Sequence, residues 1–176
     1  MPSVGRLRPF KVMKYFLTIL LILFILAGTT LAQRKATPGF QDYPVSEKFT
    51  GKPAPVNLRS HPHAREFRTM LRETAKLGAI FTGHYAVNYW GCGTECIRIG
   101  IVDLKTGRAY VSQFFANVGI ATHIDSRLLI VAPPEKIKEI YGDDAPKYVY
   151  PRYYVWKNSR LVLVYPKSEK DEIFWK

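Results

Sequence analysis

Gly83-His84-Tyr85-Ala86-Val87-Asn88-Tyr89-Trp90-Gly91-Cys92-Gly93-Thr94-Glu95-Cys96 holds both cysteines of a 176-residue chain, with Gly91 and Gly93 on either side of the first. The residues before this loop alternate, and Ile97 to Val102 follow it as a β-branched, apolar run, so the whole reads as two strands joined by a tight turn. If Cys92 faces Cys96, residues whose numbers sum to 188 become partners in an antiparallel ladder. Opposed residues in such a ladder lie about 4.5–5.5 Å apart at Cα, a separation a disulfide can span. The stretch therefore predicts a disulfide-pinned hairpin. Tyr89 opposite Ile99 and Val87 opposite Ile101, with Phe81 nearby, make its core face. Trp90 opposite Arg98, Asn88 opposite Gly100, Ala86 opposite Val102, and His84 near Leu104 make a smaller, more polar face. His84, Asn88, Trp90 and Arg98 are the expected binding face.

Residues 79 to 90 and 96 to 103 are the two strands of this hairpin. Asp103-Leu104-Lys105-Thr106-Gly107 suits a short turn with glycine in the left-handed region, leading to a third strand at 108 to 115. Arg127 to Ala132 reads as another strand, Pro134 to Tyr141 as a short helix stopped by Gly142, and Tyr153 to Trp156 as pairing with Leu161 to Tyr165. Upstream, Ser60 is a candidate cap for a helix with Pro62 in its first turn, and Phe67, Met70, Leu71, Thr74 and Ala75 recur at helical spacing before Gly78. Arg65, Arg68, Arg72 and Lys76 form its opposite, solvated face. Pro38, Pro44, Pro53 and Pro55 lock φ and remove donors between Gln33 and Asn57, which predicts an extended lead-in. The resulting expectation is an α+β fold: a twisted antiparallel β-sheet with one packed N-terminal helix and a disulfide-pinned hairpin. It occupies a single domain over 59–176, preceded by a Pro-rich lead-in over 33–58.

Arg6, Arg8, Lys11 and Lys14 precede an uncharged run from Tyr15 to Ala32, with Thr30 and Ala32 as small residues at its end. A basic flank, an apolar centre and an A-x-A-like site describe a signal peptide over 1–32. The apolar centre is shorter than the roughly 20 residues of a spanning helix, although Gly28 to Ala32 would extend a retained anchor. Either way the basic flank stays in the cytoplasm and the rest faces outward. The expected location is periplasmic or secreted, with no stable membrane span after cleavage. Removing four basic residues and no acidic ones lowers the net charge from +12 to +8. An anionic envelope component, or another exported protein, is the expected partner; nucleic acid is disfavoured by export and by the lack of a basic helix or stacking motif.

An oxidising compartment favours the structural disulfide between Cys92 and Cys96. The spacing is C-x3-C, which is not the redox C-x-x-C, and zinc would need two ligands beyond the cysteines: His84 lies on the right face of the hairpin, while His61, His63 and His123 would have to come from elsewhere. His61-Pro62-His63 reads as a solvated helix entry. His123, Asp125 and Ser126 contain the residue types of a hydrolase triad, but groups packed into four consecutive positions do not converge, and Ser126 lacks a nucleophile elbow. Glu95 and Asp103 sit eight steps apart on one strand, about 26 Å, beyond the spacing of a glycosidase pair. Tyr148, Tyr150, Tyr153, Tyr154, Trp156, Phe174 and Trp175 concentrate near the C-terminus, where rings either fill a core or bind sugars and proteins. No catalytic residue, metal site or cofactor is expected.

Thr94-Glu95-Cys96-Ile97-Arg98 is similar to the catalytic end of the L,D-transpeptidases, in which a cysteine precedes a hydrophobic residue and arginine. That family places His-Gly before its cysteine, and Thr94-Glu95 stands here instead. A broader resemblance rests on Ala64 to Glu73, Phe81-Thr82-Gly83-His84-Tyr85, Trp90-Gly91-Cys92-Gly93-Thr94-Glu95-Cys96, Ile101 to Gly107 and Asp125 to Leu129. In order and spacing across 64 to 131 these resemble a family of small exported bacterial proteins of uncharacterised function. The resemblance implies export and the disulfide, and transfers no substrate, cofactor or catalytic residue. The functional expectation is a non-catalytic envelope or secreted binding or structural module. The alternatives are an inhibitor of a host or competitor hydrolase, and a wall-active enzyme using the His84 face.

Overall fold

The computed structural model describes residues 37–116 and 118–166, with Phe115 described by its backbone. The expected signal peptide, Phe174 and Trp175 lie outside the described residues. The fold is α+β. Strands β1 (Tyr85–Gly93), β2 (Cys96–Asp103) and β3 (Ala109–Phe115) form one antiparallel sheet in that order. Strands β4 (Ile120–Thr122), β5 (Leu128–Val131), β6 (Arg152–Lys157) and β7 (Arg160–Tyr165) form a second. Helix α1 (Arg68–Lys76) packs on β1 and β2, and helix α2 (Pro134–Tyr141) follows β5 and ends at Gly142 in a left-handed conformation.

The hairpin register is the one the cysteines imply: Tyr85 pairs with Asp103, Val87 with Ile101, Tyr89 with Ile99 and Gly91 with Ile97. At the tip Gly93 pairs with Cys96, a one-residue bulge, and the Cys92–Cys96 disulfide closes across it with Cα atoms 5.1 Å apart.

Two sheets replace the single expected sheet because the first has apolar residues on both faces. Phe81, Val87, Ile99 and Ile101 pack against Leu129, Val131, Tyr154 and Trp156 of the second sheet. On the reverse face Ala86, Val102, Leu104, Ala109 and Val111 pack against Ala64 and Leu71. Burial on both sides explains why β2 is buried from Ile99 through Asp103 without alternation. The outer face of the second sheet is covered in turn, where Leu128, Ile130, Tyr153 and Val155 meet Phe40 and Tyr43 of the lead-in.

From Pro38 onward the lead-in is part of one compact unit with the sheets. Val45 N donates to Asp125 O at 2.9 Å, Phe49 N to Gly83 O at 2.9 Å, Ala54 N to Leu104 O at 2.9 Å and Asn57 N to Gly107 O at 2.7 Å. It is a strap, extended because it pairs with other segments in place of itself. Gly83 (φ 79°) and Gly107 (φ 75°) are both left-handed, and a Cβ on either would overlap a strap carbonyl, that of Glu47 or of Pro55.

Three local expectations change. Residues 79–84 are not strand: Phe81 makes an isolated bridge to Tyr85 across a turn at 82–84, with Thr82 at φ 39° beside Gly83. Helix α1 begins at Arg68, and Ser60 does not cap it. Pro62 biases His61 away from the helical region, so the chain passes through turns from His61 to Phe67 before the helix opens. Meanwhile Ser60 Oγ donates to Asn57 O at 2.6 Å and accepts from Ala109 N at 2.8 Å. Strand β4 was not expected, since three residues carry no readable alternation.

Candidate functional site

Strand β1 starts at Tyr85 and β2 ends at Asp103, and their pairing brings His84 beside the Asp103 carboxylate at the base of the hairpin. His84 Nε2 lies 3.8 Å from Asp103 Oδ1, with both side chains largely buried. Leu104 N donates to His84 O at 3.0 Å, fixing the histidine backbone. Asp103 is already engaged: Oδ1 accepts from Lys105 N at 2.9 Å and Oδ2 from Thr106 Oγ1 at 2.7 Å. These are the bonds of an aspartate-nucleated turn, completed by Gly107 N donating to Asp103 O at 2.7 Å. Lys105 reaches out of that turn to an ion pair with Glu47 on the strap.

Burial pushes the His84 imidazole below its ordinary range; Asp103 opposes, Lys105 adds to the depression, and Glu47 and the Thr82 backbone oppose. Burial thus favours the neutral form of the ring. Its Nδ1 is buried without a hydrogen-bond partner of good geometry. The Tyr85 ring stands 4.2 Å away, centroid to centroid. Burial pushes the Tyr85 phenol up, against a hydrogen bond with the Trp156 side chain that acts downward. Trp156 is also edge-on to Tyr110 at 5.1 Å, and Tyr110 OH donates to Ser159 Oγ at 3.2 Å. The base of the hairpin is thus a polar cluster set on an aromatic floor.

Of the expected binding face, Trp90 and Arg98 are ladder partners and Asn88 lies two residues before Trp90 on the same face, while His84 lies apart from them. Trp90 and Arg98 sit six ladder steps from His84, about 20 Å along the strand. They meet α1: Phe67 is 5.4 Å from Trp90, ring to ring, and the Arg98 guanidinium lies over the Phe67 ring at 4.6 Å. Arg98 keeps Trp90 as its ladder partner but lays its cation over Phe67. Trp90 and Leu71 close over Gly100, so the small residues of this face are the seat of a helix. Asn88 Oδ1 accepts from Tyr89 N at 2.8 Å. On the other face Val87, Ile99 and Ile101 are buried as expected, whereas Tyr89 is 42% exposed.

Ser126 is buried, and its hydroxyl donates to Phe40 O at 2.7 Å while accepting from Leu128 N at 3.1 Å. Asp125 pairs with Lys48 at 2.8 Å. Among the described residues no three His, Cys, Asp or Glu side chains are grouped to hold a metal ion, and no helix is long and apolar enough to cross a membrane. The residues Val56 to Arg59 with Arg65 and Arg68 line an open groove of about 680 Å³. Helical spacing places Arg65 and Arg68 on a solvated face and says nothing of Arg59, because nothing local shows that the strap crosses the approach to α1. Comparison of the chain with family models, curated proteins and solved structures found no match.

Proposed function

We propose that the chain is an exported, non-catalytic binding or structural module, one of the small exported bacterial proteins that its Gly-His-Tyr and Trp-Gly-Cys-Gly-Thr-x-Cys motifs resemble. The observation that supports a non-catalytic role is the engagement of its reactive side chains in holding the fold. Both cysteines are in the disulfide, the Ser126 hydroxyl ties the strap to β5, and the Asp103 carboxylate builds a turn. A relay needs a base, its orienting acid and a nucleophile in mutual hydrogen-bond reach. His84 stands 3.8 Å from an acid whose oxygens are in use.

The wall-active enzyme is the second reading, favoured by His84 packed beside Asp103 with its imidazole pushed down by burial. In-cell crosslinking of wild-type and His84→Ala protein, with mass spectrometry of what is captured, separates the two. The module reading expects exported or envelope partners captured equally by both forms, and an amino terminus at Gln33. Capture of cytoplasmic partners alone sinks the export claim. A hydrolytic activity lost in a folded His84→Ala protein establishes the enzyme instead.

A further inference from the structure

We propose that the groove between the strap and the start of α1 binds the phosphate group of a multiply charged anion through Arg59, Arg65 and Arg68. This goes beyond the module reading and stands whether or not the chain is exported.

The groove has a fixed wall. Asn57 N is tied to Gly107 O at 2.7 Å, Arg59 N to Asn57 Oδ1 at 2.9 Å and Ser60 Oγ to Ala109 N at 2.8 Å, so the strap residues are held against β3 and its preceding turn. Val56 and Leu58 pack into the cluster of Leu71 and Val102, leaving an apolar lining that does not move with its cations. At about 680 Å³ the space falls within the range of small-molecule sites.

The charge in it is uncompensated. Arg59, Arg65 and Arg68 are exposed, and none has a carboxylate within ion-pair distance among the described residues. The acids nearest in sequence are engaged elsewhere: Glu66 with His63 at 3.1 Å and Glu73 with Lys76 at 2.7 Å. Helix α1 opens at Arg68 with no side-chain cap and no acid in its first turn, so its dipole adds to the same sign. Three arginines lining one groove repel each other until an anion enters. Phosphate suits them best, since the planar fork of each donates two parallel hydrogen bonds to neighbouring oxygens and three forks can share one tetrahedral group. Val56 and Leu58 would then lie against the carbon skeleton of a phosphate ester.

The test is calorimetric titration of the intact protein at low salt with tripolyphosphate, glucose 6-phosphate and the tricarboxylate tricarballylate. Both phosphates should bind saturably, with tripolyphosphate the tighter. The triple variant Arg59→Gln/Arg65→Gln/Arg68→Gln should weaken tripolyphosphate by about tenfold or more, and Arg65→Gln alone by about threefold, as lost charge-assisted bonds imply. A control that removes equal charge elsewhere, Lys138→Gln/Lys157→Gln/Arg160→Gln, should stay within about twofold of wild type. Vesicles of phosphatidylglycerol bound through the same three arginines and released by tripolyphosphate identify a lipid headgroup as the source of the same chemistry. Equal losses in both triple variants, no saturable binding, or tricarballylate binding as tight as tripolyphosphate each overturn the proposal.

Discussion

The two ends of one hairpin are held by opposite means. At the tip a covalent bond between residues four apart closes the loop, and the surroundings are open, with Gly91, Gly93 and Thr94 exposed. At the base Asp103 builds a turn, His84 is packed beside it, and the strap crosses at Gly83 and Gly107 from residues about fifty positions away or fewer. Local covalent chemistry secures the more exposed end. Non-local packing secures the end where polar groups accumulate. The conspicuous motif marks the more exposed end of the hairpin.

The largest break in that comparison should come from Gly83→Ala. The new methyl needs φ near 79° and overlaps the Glu47 carbonyl, so about 3 kcal/mol should be lost as strain and displacement together. Urea unfolding followed by tryptophan fluorescence reads it, and limited proteolysis should cut first within the strap. A midpoint equal to wild type would mean that the strap does not hold the base. Next in size, Cys92→Ser/Cys96→Ser should lower stability by about 2 kcal/mol, the chain-entropy value for so short a loop. Amide exchange should quicken near the tip and leave Tyr85 to Val87 protected. Loss of protection through the base would make the disulfide a global support.

The smallest effect concerns pH. Burial lowers the His84 and His61 imidazoles, so the unfolded chain takes up their protons first as pH falls. Their contribution is full above the unfolded value of about 6.5 and is lost as pH drops below it. His84→Gln should therefore flatten the stability difference between pH 7.5 and pH 5.5, measured as urea midpoints. A steeper difference in the variant would reverse the assigned sign.

The hairpin and its register were legible because alternation, two cysteines and turn residues agree locally. So was α2, bracketed by Pro134 and Gly142, and so was the pairing of β6 with β7. Division into two sheets was not, because alternation says which residues share a face and not what covers it. Ala86, Gly100 and Val102 looked like an open face and are a helix seat, with Leu71 and Trp90 over Gly100. At the site, the register places His84 on the more polar face of the hairpin, and composition marks Asp103 as the start of a turn. Their nearness to each other is not legible, because it depends on where β1 begins. The arginine groove needed the strap, which composition describes as extended but does not place.

The strap also sets an order of assembly. Phe40 finds the Ser126 hydroxyl 86 residues downstream, and Val45 finds Asp125. Contacts so distant in sequence carry the highest loop-closure cost and form late. The hairpin, whose partners lie within twenty residues, can form while the strap still waits. A chain delivered from its amino terminus keeps Phe40 and Tyr43 uncovered until β5 and β6 arrive. Those two rings are then the apolar surface that a chaperone would meet on the unfinished protein.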